Sequence, residues 1–166
     1  MLKHRVLATL LGICLIFPTV TWAQERGSVT NLPLPRFVSI KASEANVRRG
    51  PSKAHRVDWV FRARDLPVEI TAEHGHWRRV RDRDGVGGWV HHALLSGVRT
   101  VIIETDLAAL RLRPDQNAPI RAQLERNVIA RIQSCDGTWC RLTVEGYRGW
   151  VFQDETWGTY PQERIE

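Results

Sequence analysis

Cys135 and Cys140 flank Asp136-Gly137-Thr138-Trp139, and the only other cysteine is Cys14 near the start of the chain. Two thiols at this spacing can bond to each other, share a metal or cycle as a redox pair. The intervening residues read as a hairpin connection, which lets the two side chains face each other across a strand pair. In an oxidising compartment a disulfide is then the default. Zinc would need two further ligands, and no histidine lies after His92. A thioredoxin-type couple wants two residues between its cysteines, not four. A structural Cys135–Cys140 bond is expected, with roughly 2 kcal/mol of stabilisation for so small a loop.

The other reactive side chains form no comparable set. His74 and His76 fall in a hairpin turn, and His91-His92 follow a Gly-Trp-Val strand. Such pairs hold a metal only weakly without a third and fourth ligand, and no spacing supplies them. Asp82 and Asp84 lie in a charged turn, where solvation accounts for them better than acid–base work. Neither cysteine is followed by a histidine that could activate it. No catalytic residue, metal site or cofactor is expected.

What remains is aromatic and basic. Six tryptophans follow residue 23: Trp59, Trp77, Trp89, Trp139, Trp150 and Trp157. Strand alternation sets Trp77, Arg79 and Arg81 on one face, opposite Val80. Such rings can offer a stacking surface, or they can cover a barrel rim or an internal seam.

These residues are carried by a duplicated frame. Gly88-Trp89-Val90 recurs as Gly149-Trp150-Val151, His74-Gly75-His76-Trp77 as Asp136-Gly137-Thr138-Trp139, and Pro51 as Pro114, with the offset drifting from 63 to 61 residues. Each copy alternates with period two: Val68, Ile70 and Ala72 share a face in the first, Val128, Ala130 and Ile132 in the second. Turns such as Asp84-Gly85 and Glu145-Gly146 punctuate the strands, and Ala93-Leu94-Leu95 has room for no more than one helical turn. The class is all-β: short strands rolled into a pair of small barrels over residues 37–98 and 99–166. Thr100-Val101-Ile102-Ile103 is the hinge between them. The glycine before each terminal Trp is expected to let the last strand close the barrel, with the Trp as its plug.

Lys3, His4 and Arg5, the apolar run Val6–Phe17 and the small residues Thr21 and Ala23 read as a secretory signal over 1–23. The run is short of the ~20 residues that span a bilayer, so no stable membrane insertion is expected after cleavage. Residues 24–36, with Pro33 and Pro35, read as a leader acting as a linker, or alternatively docking on its own barrel. Removing Lys3 and Arg5 leaves a net charge of +4 from the full chain's +6. Residues 37–98 hold 11 basic and 7 acidic side chains, against 9 and 10 in residues 99–166. The basic excess suits a polyanion or serves solubility. Export argues against nucleic acid and for envelope material.

Asn46-Val47-Arg48-Arg49-Gly50-Pro51, Gly75-His76-Trp77-Arg78-Arg79-Val80 and Gly88-Trp89-Val90 together resemble the bacterial SH3-like (SH3b) domain family. Asp58-Trp59-Val60-Phe61 and Trp157-Gly158-Thr159-Tyr160-Pro161 narrow the likeness to exported tandem SH3-like proteins of unassigned role. The second copy departs at Ala109-Leu110-Arg111-Leu112-Arg113-Pro114, which lacks the Asn and Gly. The resemblance implies a pair of small β-barrels and a binding role. Exported cell-wall peptidases with such domains carry a separate catalytic domain, for which this chain has no room, so a non-enzyme is expected. The expected function is a secreted, periplasmic module that recognises peptidoglycan or an envelope peptide. The alternative is a scaffold that regulates a cell-wall enzyme by protein contact. Because SH3-type folds grip extended peptides through aromatic grooves, the candidate ligand-binding residues are Trp59, Phe61, Trp77, Arg79 and Arg81. An anionic ligand is expected to prefer the first barrel, since Cys140 stands where that barrel has Arg78.

Overall fold

The computed structural model describes residues 24–166, so the expected signal sequence lies outside the described residues. The first sheet comprises β1 (Arg36–Ile40), β2 (Ala45–Arg48), β3 (Val57–Phe61), β4 (Pro67–His74), β5 (Trp77–Arg81), β6 (Gly87–His91) and β7 (Leu95–Ser96). The second comprises β8 (Thr100–Ile103), β9 (Ala108–Arg111), β10 (Ile120–Leu124), β11 (Ile129–Asp136), β12 (Trp139–Val144), β13 (Tyr147–Phe152) and β14 (Thr156–Trp157), with β15 (Arg164–Ile165) added to β11. The strand orders, β3-β2-β6-β5-β4-β1-β7 and β10-β9-β13-β12-β11-β8-β14, are the same walk through the chain performed twice. A single 3-10 turn precedes β7 and another precedes β14, at His92–Leu94 and Gln153–Glu155.

Each sheet curls around its own core. Ile40, Val47, Phe61, Val68, Val80 and Val90 fill the first. Val101, Ile103, Leu110, Cys140, Leu142 and Val151 fill the second. The residue that closes each core is the Val of Gly-Trp-Val: Val90 and Val151 are fully buried, while Trp89 and Trp150 are half-buried on the outer side. The Trp is not the plug. The glycines have a clear cause in the ladder. A Cβ on Gly88 would stand 2.7 Å from the Arg48 carbonyl oxygen, and one on Gly149 would stand 2.6 Å from that of Arg111. Only glycine lets β6 approach β2, and β13 approach β9, this closely.

The expected alternation holds along the first half of β4 and then breaks. The β4–β5 register shifts between Ile70 and Ala72, and the β11–β12 register between Ile132 and Ser134. A bulge places one extra residue on the strand, so beyond it Glu73 and Cys135 turn inward rather than Ala72 and Ser134. This is what sets Cys135 opposite Cys140, with Cα atoms 4.1 Å apart, and the disulfide forms there.

The leader docks instead of linking. The backbone amide of Leu34 donates to Glu25 and that of Gly27 to Leu32, folding residues 25–34 back on themselves. Leu34 enters the first core. Glu73, whose side chain is fully buried, accepts from the backbone amides of Val29 (3.0 Å) and Thr30 (2.9 Å), the Thr30 hydroxyl (2.7 Å) and Arg36 (2.6 Å). A linker would have to leave that carboxylate without these donors. The C-terminal segment does the matching work on the second sheet, where β15 pairs with Cys135 and Asp136.

The two sheets meet along a polar and aromatic seam. Phe37 packs edge-on against Trp157 (5.0 Å) and beside Tyr160 (4.8 Å). The Tyr160 hydroxyl donates to Glu69 at 2.8 Å, and Arg81 pairs with the other Glu69 oxygen. Burial first, then the bond to Glu69, raises the Tyr160 pKa, so its hydroxyl stays protonated as a donor. Thr100, at the start of β8, donates through its hydroxyl to the Asp65 carbonyl at 2.7 Å.

Candidate binding face

The candidate site lies on the outer side of the first sheet, where β5 and β6 run antiparallel. Residues directly opposite on such a pair share a face. The register sets Trp77 opposite His91 and Arg79 opposite Trp89, and β2 extends the second row with Arg48 opposite Trp89. The face is therefore two adjoining rows, aromatic–imidazole and Arg–Trp–Arg. His91 meets the edge of Trp77 at 5.4 Å and lies 4.9 Å from His92, which stacks on His76 at 5.5 Å. The His92 amide donates to the His76 carbonyl at 2.9 Å, which fixes this cluster at the end of the ladder.

Charge is unevenly committed on this face. Arg48 donates to the carbonyls of Lys53 (3.1 Å) and His55 (2.7 Å) and so pins the loop between β2 and β3. Arg79 is exposed and has no carboxylate partner among the described residues. His91 is held below its ordinary pKa of 6.5, first by burial and then by the neighbouring charges of His92, His76, Lys53 and Arg78. Its Nδ1 accepts from the Ala93 amide at 3.3 Å. The face can therefore stack a flat group on indole and attract an anion through Arg79.

Not all five residues singled out from sequence meet here. Trp77 and Arg79 share the face as expected. Phe61 does not line a surface: it is 4% exposed and packed in the first core, because it stands opposite fully buried Ala45 on β2. Arg81 is tied to buried Glu69 at the seam and is not a free charge partner. Trp59 is half exposed on β3, an edge strand three strand spacings from β5, about 14 Å along the sheet. It belongs to a different patch, with exposed Val57. Sequence reasoning passed over Trp89 and His91. The signal for them was the pairing of the Gly-x-Trp and Gly-Trp-Val strands, which makes neighbours of residues 77 and 91 and of 79 and 89.

The second sheet repeats the Arg–Trp–Arg row, with Arg141 opposite Trp150 and Trp150 opposite Arg111. In its aromatic row Trp139 stacks on Phe152 at 3.8 Å where the first sheet has Trp77 and His91.

A duplicated, tightly curled sheet with an aromatic–cationic outer face defines a tandem pair of SH3-like domains. The bacterial SH3 domain family matches the chain twice, over residues 41–97 and 104–158, and the chain belongs to that family. No curated protein matches it. The chain is similar in part to the solved structure of NlpC2 from Trichomonas vaginalis, at 17% identity and a TM-score of 0.35, over 75% of this chain and 48% of that one. NlpC1 from the same organism gives the same identity and TM-score over 79% and 48%. The chain thus spans about half the length of these two structures. Among the described residues, no helix is long and apolar enough to cross a membrane.

Proposed function

We propose that this chain is a non-catalytic binding module of the bacterial periplasm that recognises an anionic segment of peptidoglycan or an acidic envelope peptide. The observation that carries the reading is the face on β5 and β6. Trp77 and Trp89 offer half-buried rings beside Arg79, which is exposed and unneutralised among the described residues. Flat rings give contact area at low entropic cost, and guanidinium forks suit carboxylates. The test is sedimentation of the chain with purified sacculi. The unaltered chain should pellet with the wall, and Trp77→Ala with Arg79→Ala should leave it in the supernatant while its circular dichroism is unchanged. Equal pelleting of the folded variant refutes the reading.

A protein-docking role, as a scaffold for a cell-wall enzyme, has one observation of its own. Trp59 and Val57 stand exposed on the edge strand β3. Trp59→Ala should leave sacculus binding unchanged and abolish enzyme capture if that role operates.

A further inference from the structure

The second domain carries one acidic side chain more than basic ones, yet its outer face is not acidic. On β12 and β13 the register sets Arg141 opposite Trp150 and Thr143 opposite Arg148, and β9 brings Arg111 to the same Trp150. Arg121, on β10, donates from its guanidinium to the Arg148 carbonyl at 3.0 Å, so its charge is held against β13. Arg111 likewise donates to the Ala118 carbonyl at 3.0 Å. Four arginines thus gather around one half-buried tryptophan, and the two that are anchored are anchored by neutral carbonyls. One carboxylate, that of Glu155, lies within electrostatic reach of Arg111. None of these four arginines forms an ion pair among the described residues, whereas Arg99 and Arg126 of the same domain do.

We infer that the outer face of the second domain is a second anion-binding surface, centred on Trp150 with Arg111, Arg121, Arg141 and Arg148, and that its occupant is a carboxylate-rich polypeptide. Charge complementarity selects the occupant, because four guanidinium groups without an ion-pair partner among the described residues repel cations and gain little from a neutral chain. The same Arg–Trp–Arg row on the first domain makes the molecule bivalent toward a long polyanion. The bivalency, though not the second face itself, rests on the proposed function of the first domain.

The experiment measures binding of poly-L-glutamate of about one hundred residues, and of hexaglutamate, to the intact exported chain by calorimetry at low salt. Arg141→Ala with Arg148→Ala, both exposed positions, should weaken the polymer at least tenfold through lost avidity and reduce the number of hexaglutamate sites from two to one. Trp77→Ala with Arg79→Ala should do the same from the other side. If only the second-domain variant loses binding, this face stands and the first-domain reading falls. An affinity within twofold of the unaltered chain for the second-domain variant, or equal binding of polyglutamine, overturns the inference.

Discussion

Glu73 and Arg78 face each other across β4 and β5 at the ladder position that Cys135 and Cys140 fill on β11 and β12. One domain closes this corner with an ion pair, 3.5 Å between Arg78 Nε and Glu73 Oε1, and the other with a covalent bond. The two are different solutions to one problem, since the inward turn after the bulge leaves a pair of opposed side chains buried against each other. Glu73 also holds the leader and Arg36, so its charge is shared among more donors than one arginine supplies.

Glu73→Gln should therefore destabilise the first domain by about 3 kcal/mol, because Arg78 and Arg36 would be left buried without a counter-charge. Burial works to raise the Glu73 pKa, but the bonds from Thr30, Arg36 and Val29 outweigh it and hold the carboxyl at about 2 instead of 4.5. A depressed carboxyl stabilises the fold fully above its unfolded pKa and loses that contribution as the pH falls through the folded value. Chemical denaturation of the unaltered chain should show a stability decline between pH 4.5 and pH 2, and that decline should be much smaller in Glu73→Gln.

The disulfide offers the matching experiment in the second domain. Cys140→Ser, or full reduction, should lower its stability by about 2 kcal/mol, read as a fall in melting temperature. Thiol titration of the unreduced chain should find no free sulfhydryl at either position. An unchanged melting temperature would show that the bond spans a corner already held by β15.

Gly88→Ala and Gly149→Ala should each cost more than the ~1 kcal/mol typical of a point substitution, since each added methyl meets a backbone carbonyl that cannot rotate away. Gly97→Ala is the control. A Cβ there meets nothing within 4 Å, and its backbone is not left-handed, so its melting temperature should be unchanged or slightly raised.

These glycines show how far the chain could be read before its structure was known. Gly-Trp-Val written twice announces the duplication and the strand class, and the Cys135–Cys140 spacing announces the disulfide, because these depend on local alternation and on turns. The plug is the Val and not the expected Trp, because the two adjacent residues differ only in parity. Parity had to be counted from a strand whose close approach to β2 was not visible. The bulges in β4 and β11 leave no mark in composition, and they decide that Glu73, not Ala72, faces inward. Phe61 and Arg81 left the candidate site for a related reason. An aromatic on an edge strand and an arginine beside a seam look identical in sequence to residues on an open face. The alignment of the copies did hold one unread clue: Glu73 answers Cys135 at the offset of 62 shared by Gly75 and Gly137.

The last expectation concerns pH and the first-domain face. His91 touches Trp77 and lies within two residues of Trp89 on the same strand, so its charge state acts on whatever those rings and Arg79 hold. Burial first, then repulsion from the neighbouring His92, His76, Lys53 and Arg78, hold its pKa below 6.5. A bound carboxylate favours the protonated imidazole, so binding takes up a proton and affinity must rise as the pH falls through and below 6.5. Hexaglutamate titrated at pH 7.5 and pH 5.5 should bind several-fold tighter at the lower pH, and His91→Gln should flatten the difference. Glu73 does not confound the measurement, because its carboxyl titrates near pH 2, far below this window. Raising the salt should weaken binding at both values, as expected for exposed charges screened over about 10 Å at 0.1 M. Affinity that is flat between the two pH values in the unaltered chain would place the anion away from His91, on the Arg79 side of the face or on the second domain.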